Sequence, residues 1–367
     1  MTEKGFTDEI SEQTGIEDFS SIAAAIEGYL EDKAKEGASG NYRSNAESFL
    51  NHRWKPWLIE HSITSIHQLD RKVLKQYATH LSQLTEDDEI VPSTAQSYFH
   101  IVSAVLTWCR NKDLITTNPA TYPEVQDCLP DEIKEEERQF WSEEKRMRLL
   151  EAVDKRAIIA NPDKKLSANR DRALVYLIAF SGARSAEILR DPSDDRRTGI
   201  TWNDIDFDRN TIQVLGQSQN YEGIPLPRQA KEPIETLKEI QSPESGKWPV
   251  FTSHHAPSMV KRVVEGLQER SYDEDEISNL RSEHPTMSLF HKYDIIPPAL
   301  SKKGGRIRFK KVCKDFNIEI EGDYLQPFGA RRQLGRELFT ESIEIAQKGL
   351  RSYTIESIHD RYSKGEH

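Results

Sequence analysis

A change of hydrophobic period halfway along the chain is the feature that most restricts its fold. Residues 168–191, ANRDRALVYLIAFSGARSAEILRD, predict a long apolar helix that breaks at Gly182 and a new helix that starts at or near Arg184. Residues 200–227, ITWNDIDFDRNTIQVLGQSQNYEGIPLP, then alternate apolar and polar side chains on both sides of a turn at 208–210, as β-strands do. The later residues are again mostly helical. We therefore expect a mainly helical region with a short sheet inserted between helices.

The first third of the chain predicts a separate, smaller helical domain, which we place at residues 15–118. Four amphipathic stretches there have an apolar face, and the clearest opens at Pro92. The domain closes at Pro119, because the following residues are rich in Pro, Asp and Glu and show little periodicity. We interpret residues 119–140 as a linker and residues 141–367 as a second, larger domain.

No segment of the sequence has the features of a membrane anchor or a secretion signal. No apolar run approaches the roughly 20 residues that a membrane span needs, and the first 15 residues lack the apolar core of a signal peptide. Cys109, Cys128 and Cys313 are widely spaced and match no metal-ligand pattern, so we interpret them as reduced thiols. These features predict a cytoplasmic protein.

The distribution of charge is uneven along the chain. The formal net charge of -11 argues against a protein that coats nucleic acid without specificity. Acidic residues cluster at 85–89, 131–137 and 272–276, whereas residues 302–314, KKGGRIRFKKVCK, contain seven basic side chains and no acid. This basic run is either a solvated face or a surface that faces phosphates. Its position just before a second arginine cluster favours the phosphate-facing surface.

Three short motifs contain residue types suited to handling a phosphate. In SGARSAEILRD, Arg184 follows a glycine turn, and its guanidinium can either hold a phosphate oxygen or form an ordinary surface pair with Glu187. PFGARRQLGRELF places Arg331 beside Arg332 at another predicted helix start. The last ten residues, IHDRYSKGEH, carry Tyr362 at the end of a predicted helix. Terminal residues are usually loose and solvated, so this tyrosine gains meaning only from the two motifs before it.

This ordered set resembles the tyrosine recombinase (phage integrase) family. GARSAEIL resembles the first arginine motif of that family, ITWNDIDFDRNTIQVLG its β-hairpin, and PFGARR its His-x-x-Arg motif. LRSYTIESIHDRYSK resembles the Leu-Gly-His box with the nucleophilic tyrosine after it. The resemblance covers most of the chain and implies a mainly α fold. It predicts an N-terminal four-helix core-binding (SAM-like) domain that clamps DNA, and a helical catalytic domain with a small antiparallel β-sheet.

The resemblance also implies a chemistry and its partners. Tyr362 would attack a DNA phosphodiester to form a 3′-phosphotyrosyl link and a free 5′-hydroxyl, while Arg184 and Arg331 hold the non-bridging oxygens. The family needs no metal or other cofactor. The implied partners are double-stranded DNA and further copies of the chain, from a dimer to a tetramer on DNA. Such a protein would be nucleoid-associated when bound.

Other positions depart from the family motifs. Gln217 stands where the family has a hairpin lysine that protonates the leaving oxygen, and an amide cannot act as a general acid near neutral pH. Phe328 stands at the first histidine position, and the second falls on Ser352 or on Tyr353, depending on how the motif is counted. Because losing a positioned acid or base costs roughly 10² to 10⁴ in rate, strand cleavage is expected to be slow or absent unless other groups substitute.

Two functions therefore remain open: a site-specific DNA recombinase with an unusual active site, or a DNA-binding regulator or accessory factor of recombinase descent that no longer cuts. Lys231 and His359 are candidate substitutes for the missing groups, although a solvated surface residue is the favoured explanation of each. Both functions require DNA binding. The candidate DNA contacts are Arg43, Arg53, Lys302, Lys303, Arg306, Arg308, Lys310, Lys311 and Arg332.

Overall fold

The computed structural model describes residues 21–35, 41–131, 139–320 and 323–351. The chain divides into two compact units, with the boundary between residues 134 and 135. Within the described ranges, no helix combines the length and the apolar character that crossing a membrane requires.

The first unit is a helical bundle. Its helices are α1 (Ile22–Lys35), α2 (Asn41–Phe49), α3 (Lys55–Glu60), α4 (Arg71–Glu86), α5 (Pro92–Asn111) and α6 (Pro123–Gln126), with 3-10 turns at Ile66–Gln68 and Pro119–Thr121. Asp70 starts α4 by accepting a hydrogen bond from the N–H of Val73 (2.9 Å), which satisfies one of the donors that a helix start leaves open. Pro92 occupies the first turn of α5, where a missing N–H costs nothing.

A wide turn joins α2 to α3 without a break. Leu50–Trp54 is π-helical, and Pro56 follows in the first turn of α3. Proline has no N–H to give to the preceding turn, so a regular α-helix would not continue through this point. The altered turn keeps Trp54 and Trp57 buried in the core of the bundle.

The first part of the predicted linker packs on the first unit. Ala120 and Val125 are buried in the core of the bundle, and the Ser82 hydroxyl donates a hydrogen bond to the carbonyl of Cys128 (2.7 Å). By contrast, Gln139 belongs to the second unit, where its side chain accepts a hydrogen bond from the N–H of Gln326 (2.6 Å). Residues 132–138 lie outside the described ranges, so the bounds of a linker remain a prediction.

The second unit is helical with an inserted sheet. Its helices are α7 (Glu143–Ile158), α8 (Pro162–Ser181), α9 (Ser185–Ile188), α10 (Arg228–Gln241), α11 (Ala256–Gln268), α12 (Glu274–Glu283), α13 (Thr286–Lys292), α14 (Lys302–Asp315), α15 (Pro327–Glu341) and α16 (Ile343–Leu350). Between α9 and α10, the strands β1 (Ile205–Asp206), β2 (Thr211–Leu215) and β3 (Tyr221–Pro225) form an antiparallel sheet in the order β1-β2-β3. Ile205, Ile212 and Ile224 lie opposite one another and turn the same face into the core. The predicted fold class is confirmed.

Helix α8 runs through the core of the second unit and packs against α7, α10 and α15. It ends at Gly182, whose φ of +62° lies in the left-handed region that glycine adopts without strain. A Cβ at this position would also lie 2.9 Å from Cδ2 of Leu334. Backbone conformation and packing both require glycine here, and the resulting turn directs the chain to Arg184.

Candidate functional site

Arg184 is the residue before the first turn of α9, as the break at Gly182 predicts. Glu187 accepts a hydrogen bond from the N–H of Arg184 (2.7 Å) and another from its guanidinium (2.9 Å). The predicted pair with Glu187 is therefore present, but it is not an ordinary surface pair, because Glu187 is only 4% exposed. A buried carboxylate thus fixes Arg184, while 26% of the arginine side chain stays accessible.

Arg331 reaches the same turn from helix α15. Gly329 allows Trp141 to pack closely on the start of this helix, since a Cβ there would lie 2.7 Å from Cδ1 of the indole. Arg331 is 3% exposed, and its guanidinium donates hydrogen bonds to the carbonyl oxygens of Gly182 and Leu350. Because Gly182 lies two residues before Arg184, the fold brings together two arginine motifs that are far apart in the sequence.

Arg351 is a third arginine of this site, and it is not among the residues that the sequence motifs predicted. Its guanidinium donates to Glu187 (2.5 Å) and lies 3.5 Å from the carboxylate of Glu222 on β3. The available signal was local: Arg351 stands in LRSYT, where the family resemblance places the glycine of the Leu-Gly-His box.

Glu187 is therefore shared by two guanidinium groups. Burial works to raise the pKa of Glu187, but hydrogen bonds and positive charge from Arg351, together with the contacts to Arg184, hold its pKa below the ordinary value for a glutamate. The carboxylate is an anion at neutral pH. It orients both arginines and neutralises part of their charge.

The β2–β3 hairpin lies beside this cluster. Arg197 donates hydrogen bonds to the carbonyls of Leu215 (2.7 Å) and Gly216 (2.8 Å), which fixes the start of the hairpin turn. Glu222 accepts a hydrogen bond from the Ser218 hydroxyl (2.6 Å), and a Cβ on Gly216 would clash with the Glu222 carboxylate. Gln217 is exposed in this turn. The hairpin thus presents an amide where the resemblance predicts a lysine.

Lys231, one of the two candidate substitutes, lies away from the position of that lysine. Its ammonium donates to the carbonyl of Phe207 (2.9 Å) and to the side chain of Asn210 (3.0 Å), in the turn between β1 and β2. The whole of strand β2 separates this turn from Gly216, a span of roughly 16 Å at about 3.3 Å per residue. Lys231 stabilises the far end of the sheet.

Phe328 lies in the first turn of α15, where the resemblance predicts a histidine. It is 44% exposed, and the guanidinium of Arg332 lies 4.6 Å from the centroid of its ring. Arg332 also donates a hydrogen bond to the carbonyl of Gln139 (3.3 Å). This predicted DNA contact is therefore engaged in a cation–π contact and a backbone hydrogen bond of the second unit.

The predicted basic run forms helix α14, and two of its charges point inward. Lys302 pairs with Asp191, and Arg308 donates two hydrogen bonds to Asp171 (2.9 and 2.6 Å). These two contacts correct the prediction that the whole run faces phosphates, because Lys302 and Arg308 anchor the helix. The basic side chains that are exposed on α14 are Lys303, Arg306, Lys310, Lys311 and Lys314, of which Lys311 lies 3.4 Å from Asp315.

The remaining predicted residues divide into two groups. Arg43 on α2 and Arg53 in the π-helical turn are exposed on the first unit. Tyr362, Ser352, Tyr353 and His359 lie outside the described ranges. Across those ranges, no group of His, Cys, Asp or Glu side chains is arranged to hold a metal ion.

Comparisons with known proteins agree with this architecture. Residues 21–125 match the family model of the phage integrase SAM-like domain. A lambda integrase dimer bound to a COC′ core site superimposes with a TM-score of 0.56 at 14% identity, over 95% of this chain and 97% of that chain. A Tn1549 transposon integrase in complex with a circular intermediate DNA gives 0.57 at 11% identity, over 92% of this chain and 94% of that chain. A comparison of the sequence with curated proteins found no match.

The predicted resemblance is confirmed at the level of the fold. The first unit matches the phage integrase SAM-like domain, and the chain has the fold of the lambda and Tn1549 integrases.

Proposed function

We propose that this protein is a site-specific DNA recombinase that cleaves and rejoins double-stranded DNA, with Tyr362 as the nucleophile. The observation that carries the proposal is the convergence of Arg184 and Arg331 on the turn at Gly182, beside the hairpin. Arginines with fixed guanidinium groups suit the non-bridging oxygens of a phosphodiester, whose charge increases as the tyrosine attacks. Integration or excision of a DNA segment would follow from such strand transfer.

The same proposal includes the assembly. The lambda integrase structures that this chain resembles are a dimer on a core site and a tetramer on a Holliday junction. We infer that this chain acts as an oligomer of two to four copies on DNA, in the cytoplasm and associated with the nucleoid. The exposed basic side chains of α14 and of the first unit would contact the phosphate backbone.

A second function has its own support. The hairpin presents Gln217, Phe328 stands at a histidine position, and Lys231 is committed to the far end of the sheet. A site that lacks the acid and base at these positions would bind DNA and cut it slowly or not at all. The second candidate is therefore a DNA-binding regulator or accessory factor of recombinase descent.

Covalent trapping separates the two functions. The protein is incubated with a library of nicked duplexes whose sequence is randomised around the nick, so that the short 5′-hydroxyl fragment diffuses away after cleavage and the protein stays attached. We expect an SDS-stable protein–DNA adduct that disappears in Tyr362→Phe and persists in Tyr272→Phe, a matched change at a tyrosine outside the candidate site. The 3′-phosphotyrosyl bond then gives the position of cleavage when the adducts are sequenced.

Each other outcome has a defined meaning. DNA binding without an adduct favours the regulator. An adduct that persists in Tyr362→Phe shows that the nucleophile is assigned wrongly. Absence of DNA binding at low salt contradicts both functions.

The exposed face of α14 yields a prediction of its own. Replacing Lys303, Arg306 and Lys310 together by glutamine is expected to weaken binding to duplexes of any sequence, because phosphate contacts do not depend on sequence. Each lost contact removes about 0.9 from the slope of log affinity against log salt, so the slope should fall by about 2 to 3 in a salt titration. The control replaces three exposed lysines on other elements by glutamine: Lys164, Lys247 and Lys261. If the slope fell equally in both triple variants, the loss of binding would be explained by net charge alone and not by contacts of α14 with phosphates.

A further inference from the structure

We propose that Arg351 is a positioning residue that holds the β2–β3 hairpin, with Gln217, against the Arg184–Glu187 pair. Where it concerns cleavage, this role rests on the proposed recombinase function. Where it concerns the hairpin, it rests only on contacts between described residues.

The backbone gives no reason for an arginine at position 351. The residue ends α16 with φ +51° and ψ +52°, the left-handed conformation that strains a residue with a side chain and that glycine adopts freely. Its N–H closes the helix onto the carbonyls of Gln347 and Lys348, which a glycine would do equally well. The side-chain contacts are therefore what an arginine adds at this position.

Those contacts join three elements of the site. One nitrogen of the guanidinium donates to Glu187 in α9 (2.5 Å), and the other lies 3.5 Å from Glu222 in β3. Glu187 uses its second oxygen to hold Arg184 (2.9 Å). Glu222 lies against Gly216 and accepts the Ser218 hydroxyl (2.6 Å), so it belongs to the hairpin turn itself. A single planar group thus connects the end of α16, the arginine motif and the hairpin.

The charges give the same residue a second effect. Glu187 and Glu222 are carboxylates beside the position that we propose for a DNA phosphate, and uncompensated they would repel it. Arg351 is 15% exposed and pairs with both. Without Arg351, the buried Glu187 would keep its pair with Arg184, and Glu222 in the hairpin would lose its pair with Arg351.

The test replaces Arg351 by glycine, which removes the ion pairs while suiting the left-handed backbone, so that the fold is retained. We expect amide hydrogen exchange of the free protein to accelerate at least tenfold across residues 213–224 and to stay unchanged in α8. In single-turnover reactions at saturating nicked duplex, covalent cleavage should fall at least tenfold. Glu222→Gln should reproduce the hairpin effect, and Arg351→Lys should be intermediate because an ammonium is a point charge without the planar fork.

The matched control is Ser242→Gly. Ser242 ends α10 with φ +45° and is exposed, so glycine relieves a similar backbone strain without removing an arginine. Unchanged exchange of the hairpin in Arg351→Gly, or an equal change in Ser242→Gly, would overturn the role. Should the wild-type protein form no adduct with the nicked library, the proposed cleavage fails, and hairpin exchange in the DNA-free protein still decides whether Arg351 positions the hairpin.

Discussion

Replacing Asp171 by asparagine is expected to lower the free energy of unfolding of the second unit by about 3–5 kcal/mol. Asp171 lies in the middle of α8 and is 2% exposed. It accepts hydrogen bonds from Arg170 (3.2 and 2.7 Å) and from Arg308 on α14 (2.9 and 2.6 Å), and Arg156 of α7 lies 3.8 Å away. An amide at this position cannot balance these charges, and it leaves the fully buried Arg170 without its carboxylate.

Hydrogen exchange during a urea titration measures this change locally. Protection of α8 and α14 should disappear at lower urea in Asp171→Asn, whereas the helices of the first unit provide an internal reference. Asp315→Asn is the matched control, because Asp315 forms an exposed pair with Lys311 (3.4 Å) on the same helix α14 and should change stability by less than about 1 kcal/mol. An equal loss of stability in both variants would show that the buried ion pairs of Asp171 stabilise the protein no more than the exposed pair of Asp315.

The pH dependence of the same variant has a definite sign. Burial works to raise the pKa of Asp171, but the charge of Arg170 and the hydrogen bonds from Arg308 and Arg170 hold the pKa below its ordinary value. A carboxyl group with a depressed pKa in the folded state stabilises the protein above its unfolded pKa, near 3.9, and loses that contribution as the pH falls further. The difference in stability between the wild type and Asp171→Asn should therefore be constant near neutral pH and narrow below pH about 4.

Local features of the sequence predicted much of the fold. The change from helical to strand period at 200–227, the break at Gly182 and the helix start at Pro92 each depend on neighbours within a few residues, so the pattern alone indicates them. The convergence of Arg184 and Arg331 was implied by motif order through the family resemblance. Nothing local to either motif predicts that they meet.

The features that the sequence did not predict depend on distant partners. In the sequence, Lys302 and Arg308 belong to a basic run that was predicted to be exposed. Their partners, Asp191 and Asp171, lie in other elements. Lys231 follows the hairpin in sequence, but β3 runs back from the hairpin turn and carries the chain to the opposite end of the sheet. Arg351 stands at a glycine position of the family motif, but its partners Glu187 and Glu222 lie in other elements. In each case the pairing is a tertiary contact, which a pattern of residue types does not contain.

Replacing Arg331 by methionine is expected to destabilise the second unit by roughly 2–6 kcal/mol and to remove most of the proposed cleavage activity. The carbonyls of Gly182 and Leu350, which accept from Arg331, stand at the carboxyl ends of α8 and α16. Helix ends of this kind carry unpaired carbonyls and a partial negative charge, which a buried guanidinium satisfies. Methionine fills a similar volume but leaves both carbonyls without this donor, at about 1–3 kcal/mol each.

Stability and catalysis can be separated by temperature and by a control on the same helix. Arg336→Met changes an exposed arginine of α15 that lies 4.3 Å from the centroid of Phe140, and it should cost less than about 1 kcal/mol. At a temperature where circular dichroism shows both variants folded, single-turnover cleavage of the nicked duplex should fall roughly 10²–10³-fold in Arg331→Met, as for the loss of one fixed transition-state donor. Normal cleavage by folded Arg331→Met would show that Arg331 only caps the two helices. Loss of cleavage in both variants would show that the effect is not specific to the buried Arg331.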